Sequence, residues 1–199
     1  MNHYNQISLR LAKLIGANNT VKSVIRTEAH IPDIQAASSH PLLLSLEDAP
    51  VVDFSKAFEG VDVVYFSAGA GGKGGPERTK KVDYEGAIKV FDAIEGVQGK
   101  KPRLILVSAI HAGNLDGKCP EHYVGSISFT RIFSFLTSGP KMSQSEADIA
   151  MSNAAWAGPL AFYMKMKYEA DANLVKRTAF KWTILRPVII LYVFTSFTY

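Results

Sequence analysis

Val61-Asp62-Val63-Val64-Tyr65-Phe66-Ser67-Ala68-Gly69-Ala70-Gly71-Gly72-Lys73-Gly74-Gly75-Pro76 is the stretch on which the fold turns. Up to Ser67 it is mostly β-branched or aromatic and is preceded by a glycine, the pattern of a strand buried on both faces rather than an alternating, half-buried one. The loop that follows spells Gly-x-Gly-x-x-Gly over Gly69 to Gly74, the letters of a dinucleotide fingerprint directly after a strand. In that fingerprint the helix begins inside the motif and the third glycine packs within it. Here Gly75 and Pro76 follow at once, so the helix is expected to start near Pro76, which suits the first helical position.

A helix, two strands and a second helix are also expected upstream of this loop, whereas a fingerprint opens its fold. Three readings stay open: the fingerprint itself, a surface turn, and the loop after the fourth strand of a nucleotide-binding fold, whose backbone passes phosphates and ribose. The last fits best. A P-loop is excluded, because no Gly-Lys is followed by Ser or Thr at the required spacing.

Working outward, Ile7, Leu11, Leu14 and Ile15 recur at helical spacing, so the chain opens inside an amphipathic helix with no strand before it. Val21 to Arg26 and Pro41 to Leu46 read as strands, separated by a stretch that holds Pro32 and Ser38-Ser39, and Phe54 to Phe58 as a short helix. Beyond the loop, Val82, Ile88, Phe91 and Ile94 indicate a long helix ending at Gly96, and Arg103 to Ser108 the next buried strand. Ile149 to Lys176 reads as one or two helices parted near Gly158-Pro159, and Lys181 to Leu185 as a strand stopped by Arg186-Pro187. This alternation predicts an α/β fold with a doubly wound, Rossmann-like parallel sheet.

Composition sets the outer bounds. At 199 residues there is room for one α/β domain, and 47% hydrophobic, 20% charged and 11% aromatic residues describe an ordinary globular chain. The net charge is 22 − 18 = +4, but the basic residues are scattered, which argues against a nucleic-acid partner. The single cysteine, Cys119, excludes an internal disulfide and points to a reducing, cytoplasmic location. The apolar tail Val188 to Tyr199 is shorter than the about 20 residues a bilayer needs, so no membrane span is expected.

The candidate chemistry lies late in the chain. Tyr163 and Lys167 are four residues apart on a predicted helix and so share a face. A neighbouring ammonium favours the phenolate and brings a tyrosine toward proton exchange with a carbonyl or alcohol. Ser108, at the carboxyl end of a buried strand, could hydrogen-bond the same oxygen. Together they suit nicotinamide-dependent carbonyl reduction, although a solvated helix face would show the same spacing.

Five stretches in order carry a resemblance: Asp62 to Gly69, Val82-Asp83-Tyr84-Glu85-Gly86-Ala87, Leu104 to Ser108, Tyr163 with Lys167, and Trp182-Thr183-Ile184-Leu185-Arg186-Pro187. The chain is similar to the atypical short-chain dehydrogenase/reductases and, within them, to the NmrA-like NAD(P)-binding group. The most specific part is Lys167-Tyr168-Glu169-Ala170-Asp171-Ala172-Asn173-Leu174 ahead of the last strand.

The resemblance implies that Tyr163 donates the proton, that Lys167 holds the nicotinamide ribose and lowers the tyrosine pKa, and that Ser108 lies near the substrate carbonyl. It implies that Ala68 and Gly69 line the cofactor and that Ser45 and Leu46 flank the adenine. Arg26 resembles the position that meets a 2′-phosphate, implying NADP, with NAD as the other choice. The expected partner is a small-molecule substrate; the oligomeric state is left open.

The chain also departs from this pattern. The family's first strand and glycine-rich turn, due just before Ile7, are absent, as is the substrate-binding segment after Arg186-Pro187. Val124 to Gln144 reads as an anomalous insertion and Val188 to Tyr199 as an aberrant apolar tail, leaving residues 1–187 as an incomplete NAD(P)-binding domain; translated introns would account for both segments. Two alternatives to an oxidoreductase follow: a non-catalytic NAD(P)-sensing regulator, or an inactive truncated product. No metal site is expected, since Cys119 and His122 have no second ligand pair.

Overall fold

The computed structural model describes residues 6–71, 74–109, 112 and 161–186. His111, Cys119, His122, the insertion Val124 to Gln144, the region around Gly158-Pro159 and the tail Val188 to Tyr199 lie outside the described residues. The chain opens with helix α1 (Gln6–Ile15), as its apolar spacing predicts. Its buried contact is Ala12, while Leu14 on the same helix is 79% exposed.

Strands β1 (Lys22–Ile25) and β2 (His40–Leu43) pair in parallel, Lys22 opposite His40 and Ile25 opposite Leu43, joined through helix α2 (Ile31–Ala36). Parallel pairing requires such a crossover, since a tight turn reverses the chain. Helix α3 (Val51–Ala57) leads to β3 (Val63–Phe66), and β4 (Arg103–Val107) and β5 (Trp182–Leu185) complete a second parallel sheet in the order β3-β4-β5. Between β3 and β4 run α4 (Gly75–Thr79), a π-helical turn (Lys80–Glu85) and α5 (Gly86–Gly96); α6 (Ala161–Leu174) precedes β5.

The fold class is thus the predicted one, and α4 starts where Pro76 places it. The parallel strands form two sheets, with no described strand hydrogen-bonded between β1 and β3.

Alternation along the strands decides which face is packed. Val64, Phe66, Leu104 and Leu106 point to one face of the three-stranded sheet and join Phe54 of α3, Phe91 and Ile94 of α5 and Leu174 of α6 in the main core. Phe91, Ile94 and Leu104 are fully buried, each stabilising the fold by about 1.5–3 kcal/mol through apolar burial. Tyr65 and Leu185, on the alternate positions, are 41% and 48% exposed. Gly96 ends α5 where a Cβ would stand 2.8 Å from Ser55 Oγ, and this close approach lets the Ser55 hydroxyl donate to the Ala93 carbonyl across the helix pair.

The second strand is shorter than expected: it stops at Leu43 rather than continuing to Leu46. Tertiary contacts override its β propensity. Ser45 Oγ donates to Asp48 Oδ2 (2.7 Å) and Lys89 Nζ donates to the carbonyls of Leu46 and Ala49 (2.8 Å each), holding the segment as a turn.

Candidate active site

Parallel strands place their carboxyl ends along one edge, where ligands of such sheets bind. At this edge β3 delivers Ser67 to Ala70, β4 delivers Ser108, and β5 delivers Arg186. The stripe Tyr163, Lys167, Asp171 on α6, spaced four residues apart, faces them, and the π turn contributes Asp83.

Two carboxylates organise the site. Asp83 is 1% exposed; its Oδ2 accepts the Ala70 N–H at 3.0 Å and its Oδ1 stands 3.2 Å from Lys167 Nζ. Asp171 Oδ2 accepts from Ser108 Oγ (2.9 Å) and from Arg186 Nε (3.0 Å), with Arg186 Nη2 also at 3.0 Å. Asp171 Oδ1 is buried without a hydrogen-bond partner among the described residues. Burial pushes the Asp171 carboxyl above the usual range, opposed by Arg186, Ser108 and Lys167.

Tyr163 is packed against Lys167, whose Nζ lies 5.7 Å from the ring centroid. Burial, Asp83 and Asp171 push its pKa up to about 12. The direction is opposite to the lowering expected from Lys167, because burial of the phenol, with the charges of Asp83 and Asp171 added to it, disfavours the phenolate. Helical spacing sets Tyr163 beside Lys167 as expected, whereas the carboxylate that claims the lysine, Asp83, comes from another element. Ser108 is at the site, with its hydroxyl donating to Asp171.

Ala68 and Gly69 lie in the loop after β3, and a Cβ on Gly69 would come to 3.0 Å from Asp83 Oδ1. That clearance lets the loop backbone lie against the carboxylate. Arg26 follows β1, half exposed, with Nη1 2.8 Å from Glu47 Oε1; Arg78 Nη2 approaches the same oxygen at 3.5 Å. Ser45 uses its hydroxyl on Asp48, and Leu46 packs on Gly86, where a Cβ would meet Leu46 Cδ2 at 2.8 Å. The structure thus brings Ser108, Tyr163 and Lys167 together at one network, with the 68–70 loop joined to it through Asp83.

Asp83, Asp171 and Arg186 had no assigned role in the sequence reading. Asp171 had a signal, the four-residue continuation of Tyr163 and Lys167; Asp83 had only its place in the Val82 to Ala87 stretch that carries the resemblance, with nothing local to name its partners. No group of metal ligands and no helix long and apolar enough to cross a membrane occurs among the described residues.

Comparison with known proteins identifies the family and the fold. Residues 6–129 match the NAD(P)H-binding family. A UPF0659 protein of Schizosaccharomyces pombe is 36% identical over 190 residues, covering 92% of this chain and 66% of its own length. The uncharacterized sugar epimerase YhfK of Bacillus subtilis is 35% identical over 111 residues, 55% of this chain and 50% of that protein. Among solved structures, a "putative NAD-dependent epimerase/dehydratase" from Bacillus halodurans superimposes with a TM-score of 0.60 at 25% identity, over 94% of this chain and 66% of the other. The chain therefore spans about half to two thirds of the length of these relatives.

Proposed function

The chain belongs to the NAD(P)H-binding family, and from that premise we propose that it binds NADP and reduces the carbonyl of a small-molecule substrate, as a short-chain dehydrogenase/reductase of the NmrA-like kind. The observation that carries this reading is the convergence of Tyr163, Lys167 and Ser108 on one buried network at the carboxyl ends of β3, β4 and β5.

The residues present fit a nicotinamide dinucleotide. Arg26 offers a half-exposed guanidinium beyond β1 for a ribose 2′-phosphate. Gly69 and Ala70 present backbone in a fixed position, because Asp83 holds the Ala70 N–H. Ser45 and Leu46 border the same side as Arg26 and are proposed to flank the adenine. When bound, the cofactor supplies the hydride.

The protein's own part is positional and acid–base. A phenol whose pKa is about 12 stays protonated through neutral pH, the state a proton donor to a developing alkoxide requires. Lys167 holds a positive charge against the ring, and Ser108 is set by Asp171 close to the same edge. Among the described residues two buried carboxylate oxygens accept no hydrogen bond, Asp83 Oδ1, which faces the Lys167 ammonium, and Asp171 Oδ1, which is proposed to receive a polar group.

The test is a titration of the full chain with NADPH and NADH, followed by Tyr163→Phe. Saturable binding with NADPH preferred, and retained binding but abolished turnover in Tyr163→Phe, is the expected result. A folded chain that binds neither nucleotide would overturn the reading. Equal behaviour of Tyr163→Phe and the parent chain in turnover would favour a non-catalytic sensor instead. The sugar epimerase named among the relatives favours a second reading, in which the same residues serve a transient oxidation; cofactor oxidised in stoichiometric step with product excludes it.

A further inference from the structure

We propose that Asp83 is a positioning residue that ties the cofactor-side loop to Lys167, so that the loop and the lysine are set together; the proposal rests on the nucleotide-binding reading above. Three elements distant in sequence meet on one carboxylate. The loop after β3 donates the Ala70 N–H to Oδ2 at 3.0 Å, α6 presents Lys167 Nζ to Oδ1 at 3.2 Å, and the π turn carries Asp83 itself. Lys167 and Asp83 are 5% and 1% exposed, so water does not compete for either group.

The local helix geometry is arranged around this contact. A π turn inserts an extra residue and rotates the following side chains, a device that recurs at functional sites. Here it lies between α4 and α5 and holds Val82 and Asp83 buried. Gly69 completes the arrangement, since its missing Cβ is what allows the loop to approach Oδ1.

Energy alone does not explain the pair. Desolvating an ammonium and a carboxylate offsets most of their attraction, and a well-packed apolar pair serves stability as well. An apolar pair could not, however, accept the Ala70 N–H and orient an ammonium at the same time. The groups facing this carboxylate are Lys167 and Tyr163 from α6, with Asp171 and Arg186 next in the network.

A double-mutant cycle on the full chain tests the idea, with NADPH and NADH as ligands and Asp83→Asn, Lys167→Met and the double variant compared with the parent. Asp83→Asn keeps an acceptor for Ala70 and removes the charge. It is expected to weaken both nucleotides alike, about tenfold or more, and to add no further loss in the Lys167→Met background. The same variant should lower the midpoint of the most alkaline phenol in an ultraviolet titration, a readout that a merely structural role would leave unmoved.

If Asp83→Asn does not fold, Asp83→Glu serves: a partial loss that disappears in the Lys167→Met background supports the proposal, and unchanged binding overturns it. Losses that multiply in the double variant also overturn it, since the two residues would then act separately. A parent chain that binds neither nucleotide overturns the functional reading as well. A parent that binds while Asp83→Asn binds equally overturns this proposal alone.

Discussion

In the three-stranded sheet Val64, Phe66, Leu104 and Leu106 are at most 9% exposed, whereas in the two-stranded sheet only Ile25 is buried and Val24 and Leu43 are 43% and 53% exposed. The ion pairs divide the same way. Lys167 with Asp83 is dry and Arg186 with Asp171 is mostly so, the arginine side chain being 18% exposed, while Arg26 with Glu47 leaves the guanidinium half exposed. The three-stranded sheet is packed by α3, α5 and α6 and holds its charges in fixed geometry. The two-stranded sheet has little core of its own, and the Arg26 guanidinium beside it stays open to solvent.

This contrast is sharpest under mutation. Phe91→Ala should cost about 3–5 kcal/mol through lost burial and the cavity left behind, and Arg186→Met about the same by removing the guanidinium and leaving the buried Asp171 carboxyl with Ser108 as its hydrogen-bond donor. Both are measured by urea unfolding. Val24→Ala in β1 should change stability by about 0.5 kcal/mol or less, as exposed positions do. Equal losses at Val24 and Phe91 would break the comparison.

The same division separates what is legible in the sequence from what is not. The runs ending in Phe66, Val107 and Leu185 read as strands because they are apolar and rich in β-branched residues, but the burial on both faces expected of them is not found: Val64, Phe66, Leu104 and Leu106 are buried while Tyr65 and Leu185 are exposed, because α3, α5 and α6 pack on one face. The Tyr163 and Lys167 pair is legible because helical spacing is local. The end of β2 is not, because Lys89 on α5 decides it by capping the carbonyls of Leu46 and Ala49. Asp83 is illegible for the same reason: its partners, Ala70 and Lys167, come from other elements, and the π turn that aims it has no simple residue signature. Asp171 could be read from periodicity, but its bonds to Ser108 and Arg186 arise only from sheet topology.

The buried network should also show in pH dependence. The folded Asp171 carboxyl is raised above its ordinary value of 3.8, so the folded state binds more protons than the unfolded state just above that pH. Its contribution to stability is therefore full below about pH 4 and is lost as pH rises through the folded pKa. The stability of the parent chain minus that of Asp171→Asn should fall with rising pH in that window. Tyr163 acts at the other end: folded near 12 and unfolded near 10, it should make the parent lose stability relative to Tyr163→Phe between those values. Flat differences in urea unfolding at stepped pH would count against the burial of both groups.

On the wet side, Arg26→Ala should leave stability within about 1 kcal/mol, the range of an exposed pair. It should nonetheless weaken NADPH about tenfold with little change for NADH, and the loss should shrink at high salt as screening grows. Loss of both nucleotides alike would place Arg26 in the architecture rather than in phosphate recognition, and would erase the distinction between the two sheets.

The smallest effect belongs to Lys100 and Asp62, paired at 2.7 Å with side chains 82% and 80% exposed. Their contact is shorter than the buried Lys167 to Asp83 distance of 3.2 Å, so distance alone would rank it stronger. Each lowers or raises the other in the favourable direction, Asp62 down and Lys100 up, yet water and salt compete fully for both. Lys100→Ala should leave the melting temperature unchanged within measurement, while Lys167→Met shifts it clearly. If Lys100→Ala proved the more damaging, desolvation would not be what separates the two sets of charges, and the functional weight placed on the dry network would have to rest on geometry alone.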